Sequence, residues 1–203
     1  MTADSLLLLA KAAGLGLLLA MPVGPIGLLC LRRSLALGMP AGMAVGLGAA
    51  TADAVYAGVA AFAMGAAAPF IAGSSWLGIA GGVVLVAIGL RDTLHRRAPV
   101  SPPTLRGHVG TYAGVVLLTL TNPATVLTFA AIIVGLGLVP ELASLFDRLV
   151  FVAGVFLGST AWWLVLSTAA GQLGHRLPPH AIAWTRRIAG GAFIGFGIYA
   201  ILG

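Results

Sequence analysis

Six apolar stretches, roughly residues 5–31, 40–66, 69–90, 109–137, 149–170 and 182–202, carry most of this chain, and the charged residues fall almost entirely between them. Crossing the hydrocarbon core of a bilayer takes about 20 apolar residues in a helix. Within lipid every backbone N–H and C=O must be satisfied inside the segment, so uninterrupted apolar runs of this length read as helices. The chain has no means of covering itself for water instead. Only 8% of its 203 residues are charged, against roughly 25% in an ordinary soluble domain. The predicted fold class is all-α integral membrane.

The connections set the expected orientation. Arg32 and Arg33 follow the first stretch, and the second connection is uncharged. Arg91, Arg96, Arg97 and Arg106 fill the third, Arg148 ends the fourth, and Arg176, Arg186 and Arg187 lie in the fifth. The first, third and fifth connections share one side and hold nine of the eleven basic residues. Basic loops stay in the cytoplasm, which predicts both termini outside, in the periplasm. Lys11, about two turns into the first stretch, is expected to snorkel to the outer interface. The net charge of +6 is therefore explained by topology and lipid headgroups, and nucleic acid is not an expected partner. The start, Met1-Thr-Ala-Asp-Ser5, lacks the basic region and cleavage site of a signal peptide, so the first stretch is read as a retained span.

Residues 98–107, Ala-Pro-Val-Ser-Pro-Pro-Thr-Leu-Arg-Gly, are the one linker-like segment. They divide the chain into residues 1–97 and 108–203, with three spans each. Three is odd, so the second half must enter the membrane in the opposite sense to the first, the arithmetic of two inverted repeats.

Proline interrupts the opening span of each half, at Met21-Pro-Val-Gly-Pro25 and at Thr121-Asn-Pro123. Proline removes a backbone donor and clashes with the preceding turn. Gly24 before Pro25 and Asn122 before Pro123 suit helix caps, so each span reads as helix, break, new helix. The two new helices then start inside the membrane from opposite sides, with N-termini that attract an anionic group such as a carboxylate. Breaks at corresponding positions of two halves point to a transporter's binding site. The alternative is a pair of kinks that only shape the bundle.

Asp53, midway along the second span in Gly48-Ala-Ala-Thr-Ala-Asp-Ala-Val-Tyr56, is the acid that cannot reach an interface. A carboxylate at membrane depth marks a functional site by default, here one that pairs with an ammonium group or carries a proton. The alternative is a structural aspartate satisfied by Thr51, Thr121 or Asn122. Small residues at every fourth position, Gly38, Gly42, Gly46, Ala50, Ala54 and Gly58, predict a close helix contact, with shorter versions at Gly154–Gly158 and Gly191–Gly195. Trp162 and Trp163 lie deeper than an interfacial belt and either line a pocket or fill the core. His95, His108, His175 and His180 fall in or beside the connections. With one cysteine, Cys30, a disulfide is excluded and no metal site or cofactor is expected.

Taken in order, Met21-Pro-Val-Gly-Pro-Ile-Gly27, Leu31-Arg-Arg-Ser-Leu-Ala-Leu-Gly38 and Gly46-Leu-Gly-Ala-Ala-Thr-Ala-Asp-Ala-Val-Tyr56 resemble the lysine exporter (LysE/RhtB) family. Thr119-Leu-Thr-Asn-Pro123 with Phe129-Ala-Ala131, and Gly158-Ser-Thr-Ala-Trp-Trp163, look like that family's second and third signatures. The resemblance covers essentially the whole chain. It implies a six-helix exporter of amino acids and related solutes in the bacterial inner membrane, driven by the proton or ion gradient. The family's functional positions carry over to Gly24, Pro25, Asp53, Asn122 and Pro123. Many members have Pro-Gly-Pro where this chain has Val23-Gly24-Pro25, so the resemblance brings no particular substrate with it.

The expected site is a zwitterion site. The carboxylate would sit at the half-helix N-termini near Gly24, Pro25 and Ile26 and near Asn122 and Pro123. The ammonium group would face Asp53, which would also serve ion coupling, and Tyr56 and Trp163 would shape the side-chain pocket. One acid does not favour a dibasic substrate such as lysine. A heavy-metal or cation exporter would want Cys, His or several acids at membrane depth. An intramembrane enzyme would want a nucleophile beside a base. A structural subunit would leave the paired breaks unexplained, and a homo-oligomer is left open.

Overall fold

The computed structural model describes residues 3–21, 25–72, 79–80, 82–87, 90, 107–121, 125, 128–129, 144–173 and 179–202. These form α1 (Ala3–Ala20), α2 (Pro25–Leu37), α3 (Met39–Ala72), α4 (His108–Leu120), α5 (Leu145–Leu173) and α6 (Pro179–Leu202), with further helical residues at 79–80, 82–87, 90, 125 and 128–129. No strand occurs among the described residues. Of the expected linker, residues 98–106 lie outside them.

The first span is interrupted where the prolines predict it. α1 stops at Ala20 and α2 opens at Pro25, a first helical position where proline's missing N–H costs nothing. α2 then turns sharply into α3. Gly38 has φ 85°, its N–H closes α2 on the Ser34 carbonyl at 3.0 Å, and its own carbonyl accepts the Ala41 N–H at 3.1 Å. A left-handed residue between two helices suits glycine, which has no Cβ to clash. Gly38 thus makes the turn and does not belong to the packing stripe the spacing predicted.

α3 is longer than the expected span, running through Gly65 and Pro69 to Ala72 and so into the stretch expected to open the third span. α5 starts on a reciprocal cap. Ser144 Oγ donates to Asp147 Oδ2 at 2.5 Å and the Asp147 N–H returns to Ser144 Oγ at 3.0 Å, so donors that a helix start would leave unpaired are met locally.

Polarity runs inside out. Val55, Val59 and Phe62 on α3, Leu117 on α4, and Leu157, Leu164 and Val165 on α5 are exposed, while Asp53, Thr111, Ser159 and Ser167 are buried. Such a surface is matched by lipid and not by water. Among the described residues, Met39–Phe62 and Leu145–Gln172 are helical stretches long and apolar enough to cross a membrane.

α5 is the central element, packed against α1, α2 and α3. Glycine permits these contacts. A Cβ on Gly158 would strike the Ala13 carbonyl, and one on Gly154 would lie 2.6 Å from the Ala12 Cβ, so the predicted Gly154–Gly158 contact is made, with α1. Among the described residues nothing comes within 4 Å of a Cβ on Gly191 or Gly195. The tight approach on α6 is at Gly197, where a Cβ would lie 2.5 Å from the Gly82 carbonyl oxygen. Small residues are necessary for a close contact but do not say which turn of the helix makes it.

Candidate functional site

α3 and α5 run antiparallel, and small residues on α3 set how near they come. A Cβ on Gly46 would strike the Trp163 Cβ, and one on Gly42 would strike Ser34 Oγ and lie 2.9 Å from Ser167 Oγ. Two turns further along α3 and one turn back along α5, Asp53 meets Ser159. Ser159 Oγ donates to Asp53 Oδ2 at 2.7 Å, and both residues are buried, at 0% and 6% exposure. Ser159 is the middle residue of the 29-residue α5, so the pair sits about 21 Å from either helix end. A neutral hydroxyl orients a carboxylate and strengthens its hydrogen bond, but it does not balance a charge. The arrangement can accept an ammonium group or a proton.

Tyr56 lies one turn along α3 from Asp53. Its hydroxyl donates to the Leu120 carbonyl at 2.6 Å, with Thr119 O further off at 3.5 Å. Its ring stacks on Phe129 at 5.4 Å and 29°. The reason is in the sequence of the second break. α4 ends at Leu120, so the carbonyls of its last turn have no N–H further along the helix to accept from. Tyr56 supplies a donor where the helix lost its own. The expected pocket-shaping role therefore meets a hydroxyl and a ring face that are both already engaged.

The rest of the α3–α4 contact is equally closed. Tyr112 OH donates to Thr51 Oγ1 at 3.0 Å, and Thr51 Oγ1 donates to Leu47 O at 2.8 Å. Thr121 Oγ1 donates to Leu117 O at 2.8 Å. Thr51 and Thr121, the expected partners of a structural Asp53, spend their hydroxyls on their own helices. That is the usual behaviour of threonine in an apolar helix.

Of the other expected site residues, Pro25 opens α2 and Ile26 packs on the cluster of Leu29, Cys30, Val45, Ala49, Val115 and Trp163. Trp163 is 4% exposed, and its Nε1 has no hydrogen-bond partner among the described residues. An unmatched buried donor costs about 1–3 kcal/mol. Trp162 packs against the same cluster from a less buried position. Gly24, Asn122 and Pro123 lie outside the described residues. Ile26 and Trp163 thus share the α2–α3–α5 junction, Asp53 meets α5 one turn away from Trp163 at Ser159, and Tyr56 turns instead to α4.

Sequence reasoning missed Ser159. Its signal was the spacing Ser159, Trp163, Ser167, which puts a polar atom on one face of α5 at each turn. A separate pocket of about 300 Å³ lies at the N-terminal ends of α1 and α5, lined by Asp4, Leu7, Leu8, Lys11 and Asp147. Lys11 is exposed there, as snorkelling requires, and Asp147 is committed to capping α5. No group of three or more potential metal ligands occurs among the described residues.

Comparison with known proteins gives a family. A model described as LysE type translocator matches residues 3–203. YcgF of Bacillus subtilis (strain 168), named as a candidate amino acid efflux protein, is 28% identical over 191 residues, covering 91% of this chain and 90% of that protein. No solved structure matches.

Proposed function

The chain belongs to the LysE type translocator family, and we propose that it exports amino acids or related small zwitterionic solutes across the bacterial plasma membrane by alternating access. The observation that carries this reading is Asp53, buried half-way along the central helix pair with, among the described residues, only a serine hydroxyl on its carboxylate. A carboxylate kept at that depth serves a charge that comes and goes. Amino acids are the solute named for the similar Bacillus protein, and efflux the direction.

In this reading the substrate ammonium group meets Asp53, which also exchanges a proton in the transport cycle. Its carboxylate meets the N-terminus of α2 at Gly24, Pro25 and Ile26 and the corresponding start after Asn122 and Pro123. Trp163 bounds the side-chain end. Six spans in two inverted halves, residues 1–97 and 108–203 about the linker 98–107, form the frame, with both termini outside. The directions of the described helices support it. α1 and α5 run together, α3 and α4 run together, and α3 opposes α5, as alternating spans one, five, two and four require.

Cells with and without the protein, each loaded with a panel of dipeptides, test the reading by what they release. Faster release of particular amino acids by the expressing cells is expected. Equal release across the whole panel overturns it.

A further inference from the structure

Asp53 has different neighbours on its two sides along α5. Toward the helix N-terminus come Val155, Phe151 and Val150, packed with Leu8, Ala12 and Leu15 of α1 in an apolar cluster. Toward the C-terminus the same face carries Trp163 and then Ser167. Ser167 Oγ is 3.3 Å from Cys30 Sγ on α2, and Cys30 Sγ reaches the Gly42 carbonyl at 3.6 Å. Ser34, one turn beyond Cys30, is 1% exposed. Among the described residues Trp163 Nε1 lacks a hydrogen-bond partner, and Ser34 Oγ has the neighbouring Cys30 thiol alone.

Buried polar groups without a protein partner are rare, and those that occur in polar sites are ordinarily met by internal water making two to four hydrogen bonds. Here such a group, Trp163 Nε1, shares a seam with the buried hydroxyls of Ser34 and Ser167, a thiol and a backbone carbonyl. Successive turns of α5 are about 6 Å apart, which one water bridging two hydrogen bonds of about 2.8 Å can span. The apolar side offers no such group.

We propose that a file of internal waters in the α2–α3–α5 seam connects Asp53 to the end of the molecule at the α2–α3 turn, so that Asp53 exchanges protons from that side while the α1–α5 side stays dry. This rests on the reading of Asp53 as a proton carrier. Among the described residues, the titratable groups around the seam are few. Cys30 is on α2, Tyr56 has its hydroxyl on Leu120 O, Tyr112 has its hydroxyl on Thr51, and the facing side of α5 has none. The path therefore needs no second proton-carrying side chain.

The test uses purified protein in two settings. In detergent, the indole N–H of Trp163 is followed by NMR in D2O, its signal assigned with Trp163→Phe. Exchange within minutes is expected, and protection for days overturns the water file whatever the protein transports. In proteoliposomes, Ser167→Ala and Ser34→Ala are compared with the natural chain in two modes. Net amino-acid movement driven by a pH gradient should slow about fivefold, the size of one neutral hydrogen bond, while exchange of labelled for unlabelled amino acid at equal pH is unchanged. Equal loss in both modes, or no loss in either, overturns the proposal. Absence of both modes in the natural chain would instead sink the export reading, leaving the indole measurement to decide the water file.

Discussion

α3 turns polar residues toward two neighbours, and the two faces are built on opposite terms. Toward α4, Thr51, Tyr112, Tyr56 and Thr119 pass their hydroxyl hydrogens to one another or to backbone carbonyls. Toward α5, a carboxylate holds one serine hydroxyl, and the next donor along, Trp163 Nε1, has no partner. Closed networks in a low-dielectric interior rigidify a structure, whereas incompletely satisfied ones are costly and need a reason to exist. The α4 face reads as construction, holding the broken helix in place. In the proposed function the α5 face is the working surface.

That division can be broken most sharply at Asp53. Asp53→Asn keeps the shape and the hydrogen bond from Ser159 but removes the charge and the exchangeable proton. Release of amino acids should fall to that of cells lacking the protein, while detergent-solubilised protein elutes as the natural chain does. Continued export would remove the reason for calling this face functional. Gly46→Ala tests whether the same face depends on close approach. Its methyl group would strike Trp163, and overpacking of this kind costs about 1–3 kcal/mol. Thermal unfolding in detergent should shift down by several degrees.

Ser159→Ala sharpens the comparison by leaving Asp53 in place without its donor. A hydrogen bond to a charged group contributes about 1.5–3 kcal/mol, so export should slow by about tenfold or more with little change in expression. An unchanged rate would show that Ser159 only fills space. Tyr112→Phe is the control on the closed face. It removes a partly exposed hydroxyl bond, and a loss of about 0.5 kcal/mol in stability with export unaltered is expected. A marked transport defect from this change would erase the distinction between the faces.

Much of this was legible in the chain, and for identifiable reasons. The break between Ala20 and Pro25 follows from proline's missing N–H, which acts locally and whatever the neighbours are. Asp53 stood out because a carboxylate at the middle of an apolar run has no local remedy. Ser159 did not stand out. A serine in a membrane helix can bond its own backbone four residues back, so its presence says nothing until a partner 106 positions away comes into reach. The partner of Tyr56 was out of sight for the same reason. An aromatic beside an acid suggests a pocket, but the Leu120 carbonyl it meets lies 64 residues on.

By itself the sequence determined that this is a membrane protein, where its first span breaks, and which acid lies at depth, since hydrophobic length, proline chemistry and buried charge need no tertiary partner to act. Only the tertiary structure decided which glycines touch, that Gly38 turns the chain, and that Asp53 has a polar side and an apolar side. Those depend on the register between helices far apart in the chain. That register is set by the summed packing of whole helix faces, which no short motif contains.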